Sequence, residues 1–359
     1  MNRSTSIYLD GVRFFAAFVV FVGHVSGQRL SGGLFWQMGP FGPEAVDVFF
    51  VLSGFVIAYV ADTREQSGTQ YFISRAARIY SVAIPALAVT FLLDAIGRSV
   101  QPGLYNPGWH YVWDDRWLQL IQALTFTNQL WWNNMPPGSD FPYWSLGFEV
   151  WYYLVFGALL FAPRRWKYWT VVAMLLIMGP KIVALLPIWL LGVAAYRISK
   201  GGFIKFGVGI GLWLMSLVLW VAYEWYAHRY GRPIHPNWLG RPPLIEDYLI
   251  GLFFFLNLLG FTAMGHVFEP ALVRMERTIR WLAGMTLTLY LFHMPLSQFF
   301  AAVSPWSSHT WQTRLLVFGV VPVLVAVIAH FTERRKKSWH LAIEHMVYRL
   351  LPRFQRERT

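Results

Sequence analysis

The chain lacks cysteine altogether, which removes disulfides and thiolate metal sites from consideration. Charge is the second shortage. Asp, Glu, Lys and Arg make up 13% of the 359 residues, where an ordinary soluble domain carries about 25%. No internal repeat and no low-complexity linker interrupts the chain, which favours one domain over a solenoid or a string of domains. His228, His235 and Glu246 share no metal-ligand spacing, so no metal is assigned.

In place of charge stand long apolar runs and many aromatics: 56% of residues are hydrophobic, with 19 Trp and 29 Phe. This composition indicates an all-α integral membrane protein. The net charge of +12 raises nucleic acid as a partner, but Lys and Arg fall in short clusters between apolar runs, the pattern of membrane topology, and nucleic acid is set aside. Eight runs lie near 11–27, 41–60, 79–97, 143–162, 203–223, 247–265, 281–301 and 311–331. The stretch 168–198 is either one long span or two short ones folded back at Gly179-Pro180-Lys181. Two spans put most basic residues, including Arg164-Arg165, Lys200, Lys205 and the tail, on one side. The expectation is therefore about ten transmembrane helices with both termini cytoplasmic. Residues 1–335 form the membrane domain, and 336–359 a basic amphipathic tail on the cytoplasmic surface. A secretory signal is the alternative for the first run, and Arg13 inside it argues against that.

The first run, LDGVRFFAAFVVFVGHVSG, carries Asp10, Arg13 and His24. Arg13 and His24 are eleven residues apart, so they share a helical face and lie roughly 16 Å apart along the axis. Such a stripe must face a bundle interior or a wet passage. With the N-terminus inside, Arg13 lies toward the cytoplasm, joined there by Arg75 and Arg78 of YFISRAARIY. His24 lies toward the outside, with Asp47, Glu149 and His293. Arginines at the inner mouth suit a phosphate-bearing ligand. A histidine near carboxylates suits acid-base work, since a carboxylate can fix its tautomer. Bland readings stand beside these: Arg75 and Arg78 as topology signals, Asp47, Glu149 and His293 as interhelical hydrogen bonders, and Trp109, Trp113, Trp117, Trp131 and Trp132 as an interfacial belt rather than a sugar-stacking surface.

Four blocks in order resemble the membrane-bound acyltransferase 3 family: LDGVRFFAAFVVFVGH, GPEAVDVFFVLSGFVIA, the basic turn RAARIY, and FPYWSLGFEVWYYLVFG. LYLFHMPL is similar to a later block, while Ser81 departs from the Pro that often follows the basic turn. The resemblance implies a ten-helix fold in the bacterial cytoplasmic membrane. It also implies transfer of an acyl group, with acetyl expected, from acyl-CoA to a hydroxyl of a cell-envelope or exported carbohydrate or glycolipid. On this reading Arg13 and His24 are essential. Arg13, Arg75, Arg78, Asp10 and Ser53 hold the acetyl-CoA donor. His24, Glu149 and Asp47 form the catalytic set, His24 being either a base or the acyl carrier, and Trp144, Ser145, Tyr290 and His293 meet the acceptor. Some relatives carry an extracytoplasmic transferase domain. This chain ends soon after its last helix, so it either acylates directly or works with separate glycan-assembly proteins. The competing classes are a proton-coupled transporter using the buried His, Asp and Glu as a relay, and a non-catalytic scaffold, which leaves the polar stripe unexplained.

Overall fold

The computed structural model describes residues 1–106, 111, 114–232 and 244–350. Trp109, Trp113, His235 and the basic end of the tail lie outside these residues. Among the described residues the regular elements are all helical. In chain order they are α1 (Arg3–Val25), α2 (Gln28–Ser31), α3 (Phe41–Thr63), α4 (Gly68–Val100), α5 (Arg116–Thr125), α6 (Trp144–Phe161) and α7 (Lys167–Gly201). There follow α8 (Phe206–Tyr230), α9 (Leu244–Met264), α10 (Glu269–Ala283), α11 (Thr286–Val303), α12 (Trp311–Leu315), α13 (Val321–Phe331) and α14 (Lys336–Leu350).

Eight helical stretches among the described residues are long and apolar enough to cross a membrane, where about ten crossings were expected. Two local features account for the difference. Within α7, Gly179 has φ 76° and ψ 173°, a backbone conformation essentially reserved for glycine. The helix is therefore interrupted at the glycine where the sequence allows a fold-back, and the piece ahead of it rises only about 18 Å against roughly 30 Å of hydrocarbon. α11 falls outside the eight because Thr286, Thr288, His293, Ser297 and Gln298 lower its hydropathy, and all five are buried. RAARIY, expected as a turn, is helical. Ser67 accepts from the Gln70 N–H at 3.3 Å and starts α4 well before it, and Ser81 continues the helix with its hydroxyl on the Arg78 carbonyl at 3.1 Å.

The chain divides into two compact units, each discontinuous in sequence: 1–16, 43–64 and 178–283 in one, and 17–42, 65–177 and 284–359 in the other. α1 supplies its first part to the former and its last part to the latter. In the first unit α3 crosses α7 at Gly54 and Gly192. A Cβ on either would collide with backbone of the other helix, so the absence of side chains sets the close approach. Arg232 ties the ends of three helices together. It donates to Glu44 at 2.8 Å and to Glu224 at 3.0 Å and also pairs with Glu246, while the Trp220 indole donates to Glu44 at 2.8 Å.

In the second unit the Tyr71 hydroxyl of α4 donates to the Tyr153 carbonyl of α6 at 3.0 Å. α11 and α14 both pack along α4. No residue of α14 is buried.

Removing the Arg232 guanidinium leaves three carboxylates together, with Glu44 only 1% exposed. Loss of a partner from a buried charge set costs about 3–5 kcal/mol. The Lys200–Asp62 pair is open to solvent, with the lysine 60% exposed, and such pairs contribute about 0–1 kcal/mol. Thermal unfolding in detergent should show Arg232→Ala falling well below wild type and Lys200→Ala close to it. Equal losses would remove the clasp from this account.

Candidate functional site

On α1, Phe15 and Phe18 are 65% and 42% exposed and form the face that a bilayer would cover. His24 follows Phe15 by nine residues, about two and a half turns, so it projects from the opposite side. It is nevertheless exposed. A titratable ring on the side away from the exposed phenylalanines and still open to solvent is the arrangement required of a group lining a wet passage. Beside it, Gly23 allows the backbone of Met38 to approach: a Cβ there would stand 3.2 Å from the Met38 carbonyl oxygen.

The hydrogen-bond partner of His24 is His293 on α11. His24 Nδ1 and His293 Nε2 are 3.0 Å apart. The ring planes differ by 10° and the centroids are 5.2 Å apart, the spacing of rings joined edge to edge through nitrogen rather than laid face on face. His293 is fully buried, and its Nδ1 lies 2.9 Å from the Leu289 carbonyl one turn earlier. The edge of Phe21 closes one side, with ring centroids 5.9 Å apart. The sequence reading assigned orientation of His24 to a carboxylate; in the structure an imidazole holds that position.

Tyr290 lies on the other side of His293, ring centroids 6.4 Å apart, and its hydroxyl meets the Ser145 hydroxyl at 2.6 Å. Ser145 lies in the first turn of α6, and the chain ahead of it is anchored on α4. Asp94 accepts from the Ser139 N–H at 2.8 Å and from its hydroxyl at 2.6 Å, while Gly138, at φ 57°, makes the turn. The neighbouring Asp140 is fully buried, and desolvation followed by the charge of Asp94 pushes its carboxyl well above the usual range. Trp144 packs edge-on against Phe148 at 5.1 Å. Glu149 accepts from the Tyr153 hydroxyl one turn on.

A set of polar groups that sequence reading missed lies just past His293 on α11. Gln298 and Arg29 both donate to the Leu104 carbonyl, at 2.5 and 3.2 Å. Burial lowers the Arg29 guanidinium to about 10, partly offset by Tyr105. The Ser297 hydroxyl, the Gln298 carbonyl oxygen and the Tyr105 hydroxyl are buried without a hydrogen-bond partner among the described residues. Ser297 stands one turn from His293 on the same face.

In the first half of α1, Arg13 pairs with Asp10, whose other oxygen accepts from Arg280 of α10 at 2.9 Å. Arg280 also donates to Glu276 at 2.8 Å, which pairs with Arg3 at 2.5 Å. Three guanidinium groups thus share two carboxylates. Sequence reading found Asp10 and Arg13 and missed Arg3, Glu276 and Arg280, although the spacing of Arg3, Asp10 and Arg13 is helical. The other proposed donor residues are placed differently. Arg75 is buried, paired with Glu65 and laid over the Tyr71 ring at 4.1 Å; Arg78 is half-buried. Ser53 accepts from the Trp189 indole at 3.2 Å, and Asp47 is fully buried on α3. Among the described residues no group of His, Asp or Glu is arranged to hold a metal.

With helices alone and eight candidate spans among the described residues, and with ionisable side chains buried among them, the chain is a multi-pass membrane protein. The acyltransferase 3 profile, described as an acyltransferase domain, matches residues 6–332, and the chain belongs to that family. It is 34% identical over 155 residues to "Acyltransferase MdmB" of Streptomyces mycarofaciens, covering 41% of this chain and 37% of that protein. It is 30% identical over 126 residues to "Exopolysaccharide production protein ExoZ" of Rhizobium meliloti (strain 1021), covering 35% and 37%. The chain thus spans under two fifths of the length of these curated relatives. No solved structure matches it.

The Ser145–Tyr290 bond joins α6 to α11 beside the histidines, and a net hydrogen bond of this kind contributes about 0.5–1.5 kcal/mol. A double-mutant cycle of Ser145→Ala and Tyr290→Phe, read by unfolding in detergent, should return coupling in that range. Strict additivity would mean that the two hydroxyls do not interact.

Proposed function

We propose that this chain is an integral membrane O-acyltransferase of the bacterial inner membrane. It moves an acyl group, acetyl first among candidates, from a CoA thioester to a hydroxyl of a cell-envelope or exported carbohydrate. The observation that carries this reading is His24, solvent-open on the face of α1 away from the bilayer and hydrogen-bonded to a buried histidine, in a chain of this family.

The acceptor hydroxyl gives its proton to the free nitrogen of His24 as its oxygen attacks the thioester carbonyl. The carbon–sulfur bond breaks, and the departing CoA sulfur takes that proton to leave as free thiol. In the alternative course the same nitrogen takes the acyl group first and hands it to the hydroxyl second. Either course needs a basic nitrogen facing the donor.

Arg13, Asp10 and Arg280 supply the donor end. Guanidinium groups in excess of carboxylates bind phosphate through forked, permanently charged donors, and Asp10 keeps two of them convergent. Arg13 precedes His24 by about 16 Å on one continuous helix, comparable to the extended arm of the donor between its phosphates and its thioester. Arg75 suits this role less, being buried and already paired with Glu65. On the acceptor side, the unsatisfied Ser297, Gln298 and Tyr105 atoms suit a neutral polyhydroxylated ligand, since buried polar atoms without partners are costly. The name of the relative ExoZ points toward exopolysaccharide as one such acceptor.

Purified protein given acetyl-CoA should release free CoA, and His24→Ala should lower kcat by about 10²-fold or more, the usual share of acid-base catalysis. Arg13→Ala and Arg280→Ala should raise KM for acetyl-CoA while leaving the response to acetyl-pantetheine, which has no phosphate, near wild type. If both donors suffer equally, the arginines do not act on phosphate.

A further inference from the structure

The contacts of His293 restrict where the protons of the two rings sit, and this bears on which nitrogen of His24 is reactive. A carbonyl oxygen only accepts hydrogen bonds. With His293 Nδ1 at 2.9 Å from the Leu289 carbonyl, that nitrogen carries hydrogen. His293 is fully buried, and among the described residues its polar and ring contacts are with His24, the Leu289 and Tyr290 carbonyls and the rings of Phe21 and Tyr290, none of them anionic. A buried cation without a counter-charge is strongly disfavoured. His293 is therefore neutral, and its Nε2 has a lone pair and no hydrogen. The 3.0 Å contact with His24 then requires a hydrogen on His24 Nδ1, which in the neutral ring leaves His24 Nε2 bare.

We infer that His293 is a positioning residue that fixes His24 in the Nδ1–H tautomer through a chain running from the Leu289 carbonyl through both rings, so that His24 Nε2 is the reactive nitrogen. The inference rests on the acyl-transfer reading of His24 for its consequence, though not for its geometry. Free imidazole side chains favour the Nε2–H form, in which the outward nitrogen would be a donor and useless as a base. The histidine pair reverses that preference. When His24 Nε2 takes the acceptor's proton, the imidazolium keeps its Nδ1–H bond to His293 Nε2. His293 thus does what a carboxylate does for a catalytic histidine elsewhere, and it places no formal negative charge in a membrane helix. Leu289 and His293 are separated by four residues on α11, so the helix itself aims the carbonyl at the ring.

Nitrogen-15 NMR of histidine-labelled protein in detergent, with the His24 signals assigned by their loss in His24→Gln, reads the tautomer directly. The wild type should show His24 protonated at Nδ1 and bare at Nε2. His293→Gln, whose side-chain oxygen can accept the same bond, should keep that state, and His293→Leu should lose it. In CoA release from acetyl-CoA, His293→Leu should lower kcat by about 10²-fold or more with KM unchanged, and His293→Gln should recover part of the loss. Nε2–H on His24 in the wild type would overturn the inference, as would a kcat within threefold of wild type for His293→Leu. Absence of acyl transfer in the wild type would instead strike the parent reading, while the wild-type spectrum still decides this one.

Discussion

An ionisable side chain on a helix in the bilayer has to turn away from lipid, and in this protein that constraint fixes the orientation of α1. Phe15 and Phe18 occupy the outward side, so Asp10, Arg13 and His24 are committed to the inward one. Each polar group then needs a partner, because low dielectric magnifies the cost of leaving it alone. The two ends meet that need differently. At the start of α1 the answer is electrostatic, a ladder of arginines and carboxylates reaching α10. At its end the answer is a neutral hydrogen bond between two imidazoles.

These choices match the chemistry proposed for each end. A ladder with more guanidinium than carboxylate keeps a standing attraction for phosphate, and its exposed members can exchange partners without leaving a buried charge behind. A neutral imidazole pair lets one ring orient the other without adding a charge. A carboxylate at the position of His293 would orient His24 equally well, at the expense of a fully buried negative charge. Family membership and this geometry together favour the acyltransferase reading over a proton relay. A relay needs a chain of titratable groups leading onward, whereas His293 ends at a backbone carbonyl.

The polar face of α1 was legible in the sequence because two residues eleven apart on one helix share a side by geometry alone. The break in α7 was legible for a similar reason, since Gly-Pro in an apolar run is a local signal. Contacts between distant segments were not. Arg280 and Glu276 read as part of a basic cluster, and nothing local connects them with Asp10, some 270 positions earlier. His293 was found as a polar residue in a late span, but its role depends on which helix it faces. A carboxylate was expected in its place because carboxylates commonly orient histidines. The extra length of α4 was hidden because its first turns are polar and its start is set by a serine cap rather than by hydropathy.

On the proposed function, an acyl donor enters along the polar face of α1 from its N-terminal half toward His24. Membrane-impermeant acetyl-CoA supplied to one side of proteoliposomes in which the protein has a single known orientation tests it most directly. CoA release is expected only when the donor is on the side of the chain's N-terminus. Release only from the opposite side would contradict it.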